Sequence, residues 1–245
     1  MVRAGMVVGL AGAMWFGAAV VAGGAWAQSV PATVSGLEAP VSTKSAALPN
    51  EGSITCAYFP DLTVRIQTPT SESNPEAQFL ATKDVPCKPG KAAGAASVEV
   101  SQALVGRKGR LYVFADANGV EVYDLAAKRR IHQGAVFRAG DGTMPADPKE
   151  MVVTAEGDGL RLVYRQDVYE SCSMMTDRAC WGKLAKLAGL PADLAKQPPN
   201  CAAAYKQAGA QPEFSTAIGV RRDVTITAAG KVTTVLSGPV ECRSL

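Results

Sequence analysis

Histidine is the scarcest functional residue here: His132 is the only one in 245 residues, which excludes a multi-histidine metal centre. A Ser-His-Asp triad would have to use it, and neither a G-x-S-x-G elbow nor an S-x-x-K motif stands in the chain to meet it. P-loop and G-x-G-x-x-G fingerprints are also missing, so nothing points to a phosphate-cradling loop or a dinucleotide cofactor. No C-x-x-C occurs, which argues against a thioredoxin-like redox centre and a zinc knuckle. Charge of one sign is not in excess either. The 25 basic and 22 acidic side chains leave +3, too little for a nucleic-acid footprint.

Long apolar runs are confined to the start. Arg3, the run Met6 to Val21 and the small-residue ending Ala25-Trp26-Ala27 have the order of a secretory signal peptide, with cleavage expected after Ala27. No later stretch is apolar enough to span a bilayer, so no membrane span is expected after cleavage. Removal of residues 1–27 leaves 218 of the 245 residues and takes away only Arg3, bringing the formal charge to +2. Residues 28–52, rich in Pro, Ser, Thr and Ala without a period, read as a flexible leader. Residues 53–245 read as a single β-rich domain.

Export decides how the cysteines are read. In an oxidising compartment the six residues Cys56, Cys87, Cys172, Cys180, Cys201 and Cys242 imply three disulfides. Cys56 and Cys87 flank one strand-loop unit and are expected to pair. For the other four the expectation is Cys180 with Cys201 and Cys172 with Cys242.

The strand pattern is clearest in three hairpins. Leu111–Ala115 and Val120–Tyr123 flank Asp116-Ala117-Asn118-Gly119, whose Asn-Gly suits a tight reversal. Met151–Thr154 and Leu160–Tyr164 flank Glu156-Gly157-Asp158-Gly159, and Val224–Thr227 and Val232–Leu236 flank Ala228–Lys231. Leu62, Val64 and Ile66 alternate with polar residues as in a half-buried strand, while Pro75–Thr82 is expected to form a short helix. Between the second and third hairpins Trp181, Leu184, Leu187 and Ala188 share a helical face, ended by Gly189. Pro191 opens a second helix carrying Leu194, and Asn200 and Gly209 bound a third over 201–208. The fold class is therefore α+β: mainly antiparallel β, a sandwich or open barrel of hairpins, with a disulfide-bounded helical insertion at about 172–208.

The stretch GRLYVFADANGVEVYDL resembles part of one blade of the β-propellers found in extracellular and periplasmic proteins. Its period does not continue through the third hairpin, and no family is assigned on it.

No catalytic, cofactor-binding or metal residue is assigned. The turns holding Asp116 with Asn118, Asp141 and Asp158 lack the ligand spacing of a calcium loop and read as Asx-type turns. Pairs such as Glu121 with Asp124, or Glu156 with Asp158, read as solvated carboxylates, and Tyr112, Phe114, Tyr123 and Tyr164 as core. His132 reads as a packed or surface residue. Three basic clusters, Arg107-Lys108 with Arg110, Lys128-Arg129-Arg130, and Arg221-Arg222, read as solvated strand ends unless the fold brings them together.

These features describe an exported, disulfide-stabilised binding or interaction protein of a bacterial cell envelope, periplasmic or secreted, rather than an enzyme. An envelope protein or an anionic polymer is the expected partner. The alternatives are a carboxylate-dependent hydrolase of envelope polymer and a small-ligand carrier.

Overall fold

The computed structural model describes residues 33–49, 51–70, 74–83, 85–101, 103–116, 119–134, 143–144 and 151–244. The signal segment, the start of the leader, the Ala117-Asn118 reversal and Asp141 lie outside the described residues. Three sheets, antiparallel but for one parallel edge strand, stack as layers.

The middle layer holds Leu104–Lys108 (β7), Leu111–Asp116 (β8), Gly119–Asp124 (β9) and Arg129–Gly134 (β10), in the order β10-β9-β8-β7. Every residue of β8 and β9 is buried. The reason is visible in Leu-Tyr-Val-Phe-Ala, an apolar run without alternation, which suits a strand covered on both faces. Leu111, Val113, Val120 and Val122 face one neighbouring sheet, while Tyr112, Phe114 and Tyr123 face the other. The blade-like segment thus supplies the two inner strands of a central sheet sandwiched between two others. Phe79 stacks on Tyr123 with ring centroids 4.6 Å apart and meets Tyr112 edge-on at 4.8 Å.

The first outer layer is a meander: Ser42–Ala47 (β2), Ser53–Tyr58 (β3), Thr63–Thr68 (β4), Glu76–Leu80 (β5) and Ala96–Glu99 (β6). Leu62 and Val64 point to the middle sheet, as their alternation requires. On the opposite face the Arg65 guanidinium donates to Gln78 Oε1 (2.6 Å) and to the carbonyls of Lys88 (2.9 Å) and Gly90, so the loop after β5 lies over the sheet. The Cys56–Cys87 bridge fastens that loop.

The helix expected over Pro75–Thr82 is instead strand β5, paired with β4 through Val64↔Phe79 and Ile66↔Ala77 and with β6 on its other side. Eight residues nucleate a helix poorly, and placing Ala77 and Phe79 against the middle sheet outweighs the local preference.

The second outer layer is built on two long strands, Gly159–Glu170 (β13) and Thr216–Ile226 (β14), paired from Leu160↔Ile226 to Glu170↔Thr216. Thr33–Ser35 (β1), Val152–Glu156 (β12) and Val232–Leu236 (β15) complete the half that covers the middle sheet. Thr143–Met144 (β11) and Glu241–Ser244 (β16) flank the other half, which projects beyond it.

That overhang explains the helical insertion. Val168, Ile218 and Val220 would face water, and the helix Cys180–Leu187 (α1) covers them with Cys180, Trp181, Leu184 and Ala185. Gly189 follows with φ +61, and the Arg222 guanidinium donates to the Ala188 carbonyl (2.6 Å), satisfying the C-terminus. The stretch after Pro191 forms a single 3-10 turn, Leu194–Lys196, held by Trp181 Nε1–H to the Ala195 carbonyl (2.6 Å). Ala202–Ala208 (α2) ends at Gly209, while Asn200 Oδ1 accepts from the Ala202 N–H (3.1 Å). Tyr205 on α2 joins the Phe214 carbonyl (2.5 Å) and Thr216 Oγ1 (2.7 Å).

Two expected bridges are exchanged: the structure pairs Cys172 with Cys180 and Cys201 with Cys242. Cys172 follows the end of β13, on which α1 lies, so it meets the first residue of that helix with Cα atoms 5.7 Å apart. Cys201, just before α2, lies 5.2 Å by Cα from Cys242 on β16. Three bridges accord with an oxidising, extracytoplasmic compartment. Among the described residues no helix is long and apolar enough to cross a membrane.

Where the sequence suggests a structureless leader to Gly52, residues 33–47 form a strap. Strand β1 runs parallel to β12, Glu38 exchanges backbone hydrogen bonds with Arg107 of β7 (2.8 and 3.0 Å), and β2 pairs with β3. The strap thus adds to one edge of each sheet in turn. Pattern reading misses it because all six residues of β2 are exposed, so backbone pairing rather than apolar burial holds it.

Candidate functional site

Two of the three basic clusters meet at one end of the middle sheet. Lys108 is opposite Leu111, Leu111 opposite Asp124, and Asp124 opposite Arg129, so these four residues form a single row across the sheet. Residues directly opposed in an antiparallel sheet share a face, and three strand spacings put Lys108 and Arg129 about 14 Å apart. Arg110 and Lys128 belong to the turns just beyond this row.

The members differ in how their charge is used. Arg107 is consumed internally: it donates to both Glu38 carboxylate oxygens (2.8 Å each) and to Tyr112 Oη (3.0 Å), and pairs with Asp61 (2.7 Å). Burial opposes its charge, but the bonds to Glu38, Asp61 and Tyr112 more than offset this and raise its pKa. The same guanidinium, as hydrogen-bond donor, holds the Asp61 carboxyl below the usual carboxylate range. Arg110 pairs with the buried Asp124 (2.9 Å), whose other oxygen accepts from the Ala126 and Ala127 amides (3.0 and 3.2 Å). Arg130 is held by Glu121 (2.7 Å). Lys108, Lys128 and Arg129 make no side-chain hydrogen bond or ion pair among the described residues.

Beside this row lies a cavity of about 520 Å³, lined by Glu38, Arg107, Lys108 and Arg110 with Asp158 and Ala228 from the turns of the second and third hairpins. The third turn fits closely: a Cβ on Gly230 (φ +79) would stand 2.5 Å from Asp124 Oδ2. Asp158 is exposed here, at a hairpin turn as its sequence setting suggested.

The third cluster is divided by strand alternation. Arg222 points inward and donates to Gln166 Oε1 (2.7 Å) and to α1, whereas Arg221 points to the outer face of the long sheet. There a second cavity, about 400 Å³, is lined by Arg165, Gly219, Arg221, Ser237 and Glu241. Arg165 is buried and bonded to Asp167 (2.8 Å) and Glu241 (3.0 Å), and Arg243 also reaches Asp167 (3.3 Å). A Cβ on Gly219 would lie 2.2 Å from the Arg165 guanidinium, so the bare backbone there makes room for it. Sequence reading did not single out this group. Its signal is the charge at Arg161, Arg165 and Asp167, three of the four alternate positions 161–167 (the other is Val163), along a strand whose intervening residues include Leu160, Leu162, Tyr164 and Val168.

The carboxylates do not form a facing pair at the positions considered in the sequence. Glu121 and Asp124 are three residues apart on β9 and leave it on opposite faces, and both are buried, not solvated. Burial raises the Glu121 pKa although Arg130, Gln133 and the Ser101 amide hold it. Tyr112, Phe114, Tyr123 and Tyr164 are core residues, as their sequence setting suggested.

His132 on β10 packs against Tyr164, with Nε2 and Oη 3.3 Å apart. Burial, aided by the Arg222 charge, lowers its pKa to about 4, and burial pushes Tyr164 up to about 12. Because the folded value lies below the unfolded value of about 6.5, the unfolded chain binds the extra proton first as pH falls. The contribution of His132 is therefore expected to be full above about pH 6.5 and to be lost progressively toward pH 4, by up to about 3 kcal/mol. With one histidine in the chain, the imidazole NMR titration reads this without assignment. A midpoint near 6.5, or equal pH slopes of unfolding free energy in wild type and His132→Gln, would contradict it.

Comparison with protein-family models, curated proteins and solved structures finds no match for this chain.

Proposed function

We propose that this chain is an exported, non-enzymatic binding protein of the bacterial cell envelope, periplasmic or secreted, whose basic sheet end takes an anionic envelope polymer. The observation that supports it is the row Lys108–Leu111–Asp124–Arg129, which brings two separate basic clusters to one end while leaving Lys108, Lys128 and Arg129 without side-chain partners among the described residues. Cations spread over about 14 Å of rigid sheet suit a ligand with repeated negative charge better than a single anion. Lys128 and Arg129 are exposed and Lys108 is half-buried, so they contribute mainly through long-range attraction and are screened by salt.

The test uses purified lipopolysaccharide as the anionic probe and neutral dextran as the control. Binding to the former is expected to weaken steeply between low and high salt, with none to the latter. The combined variant K108E/K128E/R129E is expected to lose at least tenfold in affinity at low salt with its thermal midpoint unchanged. Equal affinity of variant and wild type would overturn the reading.

A further inference from the structure

The outer face of the long sheet contains an electrostatic conflict. Arg165 and Arg221 are directly opposed across β13 and β14, a like-charged pair of the kind that destabilises a sheet. Arg165 pairs with Asp167 and Glu241, whereas Arg221 makes no side-chain hydrogen bond or ion pair among the described residues, although the Asp223 carboxylate, itself held by Arg161, feels its charge. Ser237, whose amide donates to the Arg221 carbonyl (2.9 Å), has a buried Oγ with no hydrogen-bond partner among the described residues. A buried hydroxyl left unbonded is costly, which marks it as a group awaiting an acceptor.

We propose that this cavity of about 400 Å³ binds a free α-amino acid. Its carboxylate accepts from the Arg221 guanidinium and from Ser237 Oγ–H. Its ammonium donates to Glu241, which stands one strand across from Gly219 and is more than half exposed (57 %). The mixed signs select the ligand: a dicarboxylate would set like charge against Glu241, and a diamine would do so against Arg221, whereas a zwitterion answers both. Between the two ends the floor is the Arg165 guanidinium, which lies flat against the bare backbone of Gly219. The volume suits a small molecule and not a polymer, so this site is separate from the basic sheet end.

Isothermal titration of the full disulfide-bonded protein against the twenty amino acids, one at a time, tests the proposal. At least one is expected to bind, with Arg221→Gln weakening it at least tenfold and K108E/K128E/R129E leaving it unchanged. The 2-oxo acid lacking the amine and the primary amine lacking the carboxylate are both expected to bind at least tenfold more weakly than the matching amino acid. Failure of all twenty to bind would overturn it. So would undiminished binding to Arg221→Gln, or a 2-oxo acid or amine that binds as tightly as the amino acid. Because lipopolysaccharide binding is read on different residues, either result leaves the polymer reading to its own test.

Discussion

Replacing Arg107 with alanine is expected to destabilise the fold by about 3 kcal/mol, more than any exposed ion pair contributes. One buried side chain links two layers and the strap: it bonds Glu38 of the strap, Asp61 in the turn after β3, and Tyr112 of the middle sheet, and lies over the Phe59 ring at 4.6 Å. Truncation leaves the buried Tyr112 hydroxyl without its donor, removes apolar packing over Phe59, and sets Glu38 beside Asp61 with no cation between them. Because Asp61 is held below the usual carboxylate range, its part of the stabilisation is present at neutral pH and is lost only as pH falls through that lowered value. Urea unfolding at pH 7 measures the total. Limited trypsin digestion at Lys44 should also speed up as the strap loosens. A change below about 0.5 kcal/mol, the size of an ordinary surface substitution, would mean that Arg107 does not join the layers.

Removing the Cys201–Cys242 bridge by paired serine substitutions is expected to cost about 4 kcal/mol on the loop-entropy account, because the bridge closes a long loop. The corresponding loss for Cys172–Cys180 is about 2.5 kcal/mol, since that pair has a sequence separation of only 8. For a chain of this size the first loss corresponds to roughly 10 °C in thermal midpoint. The location matters as much as the size. Cys242 lies opposite Ile218 in the overhanging half of the long sheet, so the Cys201 bridge ties α2 to the part that the middle sheet does not cover. Amide exchange is expected to accelerate in Ala202–Ala208 and in β16 while β8 and β9 stay protected. Equal loss of protection in the middle sheet would show that the overhang and the sandwich unfold as one unit.

Much of this architecture is legible where apolar side chains carry the signal. The three hairpins declare themselves through β-branched runs around Gly-containing turns, and α1 through the spacing of Trp181, Leu184, Leu187 and Ala188. Elements held by backbone pairing are not legible in that way. Strand β2, Ser-Thr-Lys-Ser-Ala-Ala, buries nothing and so has no pattern to read, although it completes an outer sheet. Strand β5 is misread as helix because Ala77, Leu80 and Ala81 allow a helical spacing, and only the partners β4 and β6 decide otherwise. The exchanged disulfides have the same origin: separation along the chain says nothing of where α1 and α2 dock. The clusters containing Lys108 and Arg129 are plain in the sequence. Their convergence depends on hairpin register, a long-range property. The arginine groove depends on the opposition of Arg165 and Arg221, which comes from strands separated by the whole helical insertion.

The most direct test of an exported, disulfide-braced protein is non-reducing peptide mapping by mass spectrometry on material recovered from the extracytoplasmic fraction. The expected result is three linked peptide pairs, Cys56 with Cys87, Cys172 with Cys180 and Cys201 with Cys242, no free thiol, and a chain beginning at Gln28. A free thiol at any of these six positions, a Cys180–Cys201 linkage, or retention of the protein in the cytoplasm would contradict the account.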